Sequence, residues 1–449
     1  MYPEIRKYAI FNVVLPLYEF LTGRNIVEWL KRMEPMQWLS LSEIQEIQWK
    51  RLKDILSFAY HEVPFYRQRF EQYKLNLDKI NSLEDFVQIP LLDKDEIMRN
   101  LPLMIAPSSK KDKLLCTSTG GSTGRSIIFY QGTRKFASSW ASRIRGDRYA
   151  GFELGEKAAW LWGSDKPDLK FRLKNFLLNY QWLNAFDLSE LSMRKYIQQL
   201  NLFKPKCIFG YASALDTLAK FIQSEKQEVF SPSAIISSAE VLYKHQRERI
   251  EKLFNCKVFN RYGCREIGLI AMECEHGNLH LNADNLYVEF LKDGHPVRNG
   301  EIGEIVITDL QNYTMPFIRY RIEDMGIPSS EVRCPCGRGL PVVEQVIGRN
   351  SDIFVSATGK MLHGEYFTHL FYGVNEIKQF QLVQKQKEYL ILRIVPNERY
   401  VPAVLTPIIN KIKAAMEADT DIQIEIVDEI PLTRSGKHRF TISEVPIQF

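Results

Sequence analysis

The sequence predicts an α/β protein: a large N-terminal domain of mixed and parallel sheets covered by helices, with a β-rich subdomain, then a small α/β C-terminal domain. Three observations carry this. Between Ala158 and Asn260, short buried runs alternate with amphipathic helical spacing, the pattern of a mostly parallel sheet covered on both faces. From about Tyr287 the pattern changes to strand and turn, in Tyr287–Leu291, Gly303–Thr308 and Met315–Arg321. After about Gly348 a smaller unit mixes three strands with one helix, so the expected division is 1–348 and 349–449. A chain of 449 residues also exceeds what one ordinary core organises.

Residues 1–75 read as a helical extension of the large domain. Leu52, Ile55, Leu56, Ala59 and Tyr60 give Leu41–Tyr73 its helical apolar spacing, interrupted where Val63 precedes Pro64. Asp93, with Glu96 three residues on, reads as a helix N-cap. Cys116–Tyr130 reads as a hairpin, with apolar runs Lys113–Cys116 and Ile127–Tyr130 on either side of a polar turn. Then come a helix Arg134–Tyr149, a strand Ala158–Gly163, and a helix Leu191–Phe203 stopped by Lys204-Pro205. A strand Cys207–Tyr211 leads into a helix Leu215–Ile222. Strand Ala234–Ser237, helix Tyr243–Phe254 and strand Lys257–Asn260 complete the alternation. In the small unit the strands are Gln379–Gln384, Tyr389–Val395 and Gln423–Val427, and the helix is Ala403–Ala418.

Composition narrows the function. A net charge of +5, without a dense Lys/Arg tract, gives no reason to expect nucleic acid as a partner. Seven cysteines in so long a chain do not suggest a disulfide framework, and no secretory leader is expected at Met1-Tyr2-Pro3-Glu4. A cytoplasmic protein is therefore expected. Tyr8–Leu21 is apolar, but it contains Asn12, Pro16 and Glu19 and is too short to span a bilayer. It is expected to pack on the body, with a peripheral membrane contact as the alternative.

Five stretches carry chemistry. The hairpin turn holds Gly120, Gly121 and Gly124 among the hydroxyls of Thr117, Ser118, Thr119, Ser122 and Thr123. Glycines let consecutive amides converge on an anion, and hydroxyls add donors. No Gly-Lys-Ser/Thr ends it, so it is not a Walker loop. Asn260–Glu266 follows a buried strand, at the carboxyl end where open α/β sheets bind ligands. There Tyr262 could stack on a base and Glu266 could hold Mg²⁺. Met315–Asp324 reads as a strand ending in acids, suited to ribose hydroxyls. Cys274, His276 or His280, Cys334 and Cys336 are the ligand types of a structural Zn²⁺, and His280 is the better fixed of the two histidines. Lys437, on a glycine turn in Pro431–Arg439, can deliver a point charge to a phosphate or carboxylate. Each stretch alone also reads as ordinary structure: surface turns, a solvated strand end, scattered thiols, a basic loop.

Their order is more specific than any one of them. The glycine loop, Tyr262-Gly263-x-x-Glu266, Arg319-Tyr320-x-x-x-Asp324, Gly348-Arg349 and Ser435-Gly436-Lys437 resemble the adenylate-forming superfamily of acyl- and aryl-CoA ligases. His61–Arg67 and Pro90–Asp95 resemble the phenylacetate–CoA ligase branch, particularly its capsular-polysaccharide-associated relatives, which carry a similar Cys/His cluster. The likeness covers nearly the whole chain from about Leu41. It implies that Ser118 and Thr119–Gly124 hold ATP phosphates and that Ala239 and Glu240 form the adenine-side strip. It implies further that Tyr262, beside Gly263, stacks near adenine, that Glu266 binds Mg²⁺, and that Asp324 and Arg349 hold the ribose. Lys437 would bridge carboxylate and α-phosphate, from a C-terminal domain that is mobile between two half-reactions.

The implied reaction is ATP-dependent activation of a small-molecule carboxylate, followed by transfer to CoA or to an amine, hydroxyl or thiol acceptor, in surface polysaccharide or secondary metabolism. Two other readings are a non-catalytic scaffold in polysaccharide assembly, and an adenylyltransferase acting on a cofactor. Retention of Glu266, Asp324, Arg349 and Lys437 favours the enzyme. Three departures bear on the second half-reaction, one of them Ser351, with Asp352 beside it, at the hinge position after Gly348-Arg349 where an acidic residue or lysine is frequent. Arg125 and Ser126 stand where a lysine is usual, and Arg265 replaces a small hydroxyl residue. The aromatic runs Trp160–Trp162 and Phe209–Ser213 suggest either a substrate pocket or core.

Overall fold

The computed structural model describes residues 3–109, 114–119, 127–163, 169–330, 333–349, 353–358, 361–371, 374, 376–417, 420–431 and 439–445. The chain begins with helices Pro3–Ala9 and Leu15–Thr22, joined by a π-helical turn Ile10–Val14, then Ile26–Met36 and Leu41–Glu62. The long helix starts where sequence chemistry demands. The Ser40 hydroxyl accepts the Glu43 amide while the Glu43 carboxylate accepts the Ser40 amide, satisfying two otherwise orphaned donors. It stops at Val63, and Pro64 opens the next helix, Pro64–Gln72. Asp93 and Glu96 close the same reciprocal box on helix Lys94–Asn100.

The hairpin comes next, β1 (Leu115–Ser118) antiparallel to β2 (Ile128–Gln131). Thr117 and Ser118 therefore belong to a strand rather than to the turn. Helix Thr133–Tyr149 leads to β3 (Ala158–Trp162), β4 (Tyr180–Asn184), β5 (Cys207–Gly210), β6 (Ala234–Ser238) and β7 (Lys257–Cys264). These five pair in parallel in the order β4-β3-β5-β6-β7. Helices Leu169–Leu178, Glu190–Phe203, Ala212–Ser224 and Lys244–Phe254 lie in the four crossovers. The second ends at Lys204, in the left-handed region at φ 53°, just before Pro205.

Then the direction changes. β8 (Gly268–Glu273) returns antiparallel to β7, followed by β9 (Leu279–Leu281), β10 (Leu286–Lys292), β11 (His295–Pro296), β12 (Gly303–Asp309), β13 (Tyr320–Pro328) and β14 (Val342–Arg349). The parallel and antiparallel parts are one twelve-stranded sheet, ordered β11-β10-β12-β13-β14-β9-β8-β7-β6-β5-β3-β4. The β-rich part is thus a continuation of the same sheet. Trp160 stacks on Phe209 at 4.2 Å, and both are buried in its core, so that aromatic run is packing.

One expected strand is not a strand. Met315–Arg319 precedes β13 as irregular, buried chain, with Arg319 at φ 48°. Its backbone makes single bonds rather than a ladder: the Phe317 carbonyl accepts the Asp309 amide and the Arg319 carbonyl accepts the Leu92 amide, both at 2.9 Å, and side chains take others. The Tyr66 hydroxyl donates to the Pro316 carbonyl at 2.8 Å and accepts the Ile318 amide at 3.2 Å, while Thr308 Oγ1 accepts the Arg319 amide at 3.0 Å. Glu323 and Asp324 consequently lie inside β13 and not at a strand end.

Contacts divide the chain into two compact units: Met1–Ile322 with Gly326–Val346, and Glu323–Met325 with Ile347–Phe449. In the second, β15 (Ile353–Val355) pairs with β16 (Met361–His363). β17 (Ile377–Gln386), β18 (Tyr389–Pro396), β19 (Asp421–Ile426) and β20 (Thr441–Ser443) form a four-stranded sheet in the order β19-β18-β17-β20. Helix Thr406–Met416 covers its own small core, which includes Phe354, Phe367, Leu382, Leu392 and Ile412.

Arg319 is 2% exposed, and its guanidinium is paired through two nitrogens with Glu289 of β10, at 2.9 and 3.1 Å. The same head donates to the carbonyls of Val87 and Ile89, so one side chain ties the segment before Asp93 to the sheet. Removing one member of a buried pair leaves the other charge stranded. Arg319→Met is expected to lower unfolding free energy by about 3–5 kcal/mol. Urea denaturation checks this; a loss under 1 kcal/mol would mean the pair is not structurally important.

Candidate functional site

The carboxyl ends of β5, β6 and β7 and the β1–β2 hairpin gather most of the described candidates in the first unit. At the end of β6, Ala239 takes φ 69°, an uncommon conformation for a residue with a Cβ. Glu240 follows it, and its carboxylate accepts the Ser213 amide at 2.8 Å and the Ser213 hydroxyl at 3.0 Å. Ser213 lies in the first turn of helix Ala212–Ser224, where orphaned amides favour an anion. The loops after β5 and β6 are thereby joined.

β7 runs longer than its buried apolar residues suggested, continuing through Tyr262, Gly263 and Cys264. These residues form the first arm of a hairpin with β8, and only Arg265–Ile267 remain as its tip. A register shift between Tyr262 and Gly263 bends the arm. Gly263 is required there, because a Cβ would lie 2.3 Å from the Gly268 carbonyl oxygen. The tip is anchored from behind by Lys135, which is 3% exposed. Its ammonium donates to the Ile267 carbonyl at 2.7 Å and pairs with Asp309 at 2.5 Å.

Glu266 is 5% exposed and accepts from the Tyr320 hydroxyl at 3.1 Å. Two stretches that sequence reasoning treated separately therefore meet at one carboxylate. Arg265, a departure from the usual motif, donates to the Ser118 carbonyl at 3.3 Å and links the β7–β8 tip to the glycine-loop hairpin. That hairpin closes at Thr119, whose amide donates to the Ile127 carbonyl and whose Oγ1 accepts the Ile127 amide, both at 3.0 Å. Gly120, Gly121, Ser122, Thr123, Gly124 and Lys437 lie outside the described residues. Asp324 sits on β13, in the piece grouped with the second unit; Arg349 is the last residue of β14, and its side chain is outside the description.

Lys135 and Asp309 were not picked out from sequence, and Ser213 and Tyr320 appeared only as members of longer runs, with no role of their own. Only Tyr320 carried a signal, its place in the Arg-Tyr pair. The others are ordinary residues in helices and strand ends.

A second cluster lies at the far end of β8. Ligand atoms of Cys274, His280, Cys334 and Cys336 all lie within 4.8 Å of one another. Cys274 and Cys334 sulfurs are 3.6 Å apart, and Cys336 Sγ is 3.3 Å from His280 Nε2. His280 Nδ1 is 2.9 Å from the Leu340 carbonyl, an arrangement that orients a ligating ring. His276 is different: its backbone amide donates to Cys274 Sγ, and its ring is not in the cluster. Burial holds the His280 pKa below the ordinary value, which keeps the imidazole neutral. Burial pushes the Cys274 thiol up to about 12. Burial also opposes ionisation of Cys334, but the Cys336 amide, the Asn278 side chain and the neighbouring thiols outweigh it and hold that thiol low. The donor set fits a closed tetrahedral Zn²⁺ site.

The comparisons with known proteins agree with this geometry. Residues 354–444 match the family model described as the CapK C-terminal domain. The chain is 27% identical over 412 residues to protein CapK of Staphylococcus aureus, covering 90% of each. It is 26% identical to phenylacetate-coenzyme A ligase of Pseudomonas putida, covering 72% of this chain and 74% of that one. Among solved structures, 2-hydroxyisobutyryl-CoA ligase in the postadenylation state with 2-HIB-AMP superposes with a TM-score of 0.73 at 20% identity, over 92% of both chains. The anthranilate CoA ligase AuaEII with anthranoyl-AMP gives 0.54 over 74% of this chain and 67% of that one. The fold is that of the CoA ligases.

Gly263→Ala forces a methyl group into backbone on the β8 arm. It is expected to destabilise the chain by about 3 kcal/mol. Thermal melting checks this, and an unchanged midpoint would show that the hairpin tip is plastic.

Proposed function

We infer that this chain, a relative of CapK and the phenylacetate-coenzyme A ligases with the fold of the adenylate-forming CoA ligases, is itself an adenylate-forming ligase. Its reaction joins a small-molecule carboxylate to the α-phosphate of ATP with release of pyrophosphate, then passes the acyl group to the CoA thiol, which gives up its proton as the acyl–phosphate bond breaks and AMP leaves. The convergence of the glycine-loop hairpin, Glu266 and the Ala239-Glu240 turn in one region carries this reading. Bringing a carboxylate to a triphosphate sets anion against anion, so the site must supply positive charge and oriented donors.

In this reading Ser118, Thr119 and Gly120–Gly124 cradle the β- and γ-phosphates. Glu266, already oriented by Tyr320, is the Mg²⁺ ligand, and the ion would neutralise charge moving onto pyrophosphate. Ala239, Glu240, Tyr262 and Gly263 line the adenine, and Asp324 and Arg349 hold the ribose. Lys437, on a small domain 349–449 that follows a large domain 1–348, brings its charge to the carboxylate and α-phosphate. The relationship to CapK favours a role in capsular polysaccharide metabolism, where a sugar or amine could take the place of CoA as acceptor. We assign the enzyme to the cytoplasm, where ATP is available; none of the seven cysteines is in a disulfide. Among the described residues, no helix is long and apolar enough to cross a membrane.

ATP–pyrophosphate exchange across a panel of aliphatic, hydroxy and aromatic carboxylic acids tests the reading. Acid-dependent exchange is expected for one chemical class; no exchange with any acid, at full ATP binding, would favour a scaffold. With the active acid known, Lys437→Ala should lower exchange by about 100-fold. ATP affinity should change little, because the lysine acts chiefly on charge that develops during reaction. An equal loss of both would remove Lys437 from this role.

The same reading includes one structural Zn²⁺ on Cys274, His280, Cys334 and Cys336. Protein purified without added metal is expected to carry one zinc per chain by elemental analysis, and Cys334→Ser to lose it. A chelator should lower the melting temperature before it affects exchange measured at low temperature. Zinc-free protein with an unchanged melting temperature would end the assignment.

A further inference from the structure

The N-terminal helical segment is apolar on both sides. Ile10 and Leu15 point into a core shared with Met33, Ala141 and Leu178. The opposite face exposes Val13 (57%), Leu17 (57%), Phe20 (85%) and Leu21 (73%). Beside it lies helix Leu169–Leu178, which exposes Leu169 (81%), Leu173 (57%) and Phe176 (72%). The two are adjacent, since the Arg6 guanidinium donates to the Phe176 carbonyl and lies 5.5 Å from that ring. Leu178 and Ile10 also share one core. A single exposed leucine means nothing, but seven large apolar side chains exposed along one N-terminal helical segment and the helix that its first turns touch are apolar surface that water disfavours.

Charge selects the occupant. Helix Leu169–Leu178 contains Lys170, Arg172 and Lys174 and no acidic residue. Apolar side chains interspersed with cations on helices too short to span a bilayer are suited to lying in its interface. Each cation near an anionic leaflet adds attraction that a neutral surface does not. A second copy of this chain is a poorer fit, because a two-fold contact on this face would set the basic helix against itself. We propose that the outward face of residues 13–21 with Leu169–Phe176 docks on an anionic lipid bilayer, so that the enzyme works at the membrane surface without crossing it.

Flotation of the full chain with vesicles of phosphatidylcholine containing 30% phosphatidylglycerol tests this. Binding is expected to the anionic vesicles, to weaken with salt, and to be weak on pure phosphatidylcholine. The pairs Leu17→Glu/Phe20→Glu and Leu173→Glu/Phe176→Glu should each abolish it. Arg172→Gln and Lys174→Gln should each lower partitioning about fivefold. Unchanged thermal melting of these variants would show that the loss is not unfolding. Absence of flotation on anionic vesicles overturns the proposal, as does flotation that all four variants retain. A dimer by light scattering that the glutamate pairs convert to monomer would assign the face to self-association instead.

Discussion

The structure depends on what happens along β7. Its first half, from Lys257 to Arg261, pairs in parallel with β6, and its second half pairs antiparallel with β8. One strand therefore belongs to two architectures, with Arg261 paired to both neighbours and a register shift following at Tyr262-Gly263. Through that shared strand the twelve strands form one sheet. The same strand sets Tyr262, Gly263 and Glu266 at the seam, beyond the ends of β5 and β6, the side on which open α/β sheets bind ligands. Fold continuity and site position share one local cause.

Buried charge holds that seam from the rear. Lys135 reaches the Ile267 carbonyl and Asp309, Arg261 pairs with Asp147 at 3.0 Å, and Arg145 pairs with Asp284 at 2.7 Å. Such pairs add little net stability over apolar packing, since desolvation offsets most of the attraction. What they supply is a fixed geometry: three cations with defined partners leave their backbones few alternatives. Burial even raises the Asp147 pKa, against the pull of Arg261 and Arg143.

Much of this was legible in the sequence, where the local signal and the tertiary environment agree. Asp-x-x-Glu at Asp93 caps its helix, and the alternating runs from Ala158 to Asn260 became parallel strands and their helices. Failures came where partners distant in sequence satisfy the backbone. Met315–Arg319 has strand composition, but Tyr66 and Thr308 take its hydrogen bonds, and Arg319 turns into the left-handed region to reach Glu289. Nothing within that stretch announces Tyr66, 250 residues away in the chain. The β7 extension failed similarly. Its tail, from Tyr262 to Cys264, has intermediate burial and mixed chemistry, and only pairing with β8 makes it a strand. Arg265 stood out only as a departure from the usual small hydroxyl residue, and nothing in its neighbourhood announced that it bridges to Ser118.

The cysteine cluster adds a different constraint. Cys274 ends the β8 arm, His280 lies in β9, and Cys334 and Cys336 come from the loop before β14. In the sheet β14 sits next to β9, held by the pairs Val342–His280 and Val343–Leu279. The ladder between them is short, so two cross-strand pairs alone leave that junction weakly specified. Three thiols and a neutral imidazole converging there are poor hydrogen-bonding company for one another; a thiol is a weak donor and a weak acceptor. Their convergence is understandable if an ion takes the place of the missing ladder bonds, joining segments about sixty residues apart, which is the separation of Cys274 and Cys334. On that argument the proposed zinc secures the junction of β9 with β14, on the side of β8 opposite β7 and the Glu266 tip. The metal's place in the sheet thus accounts for a closed site with no ligand position left over for chemistry.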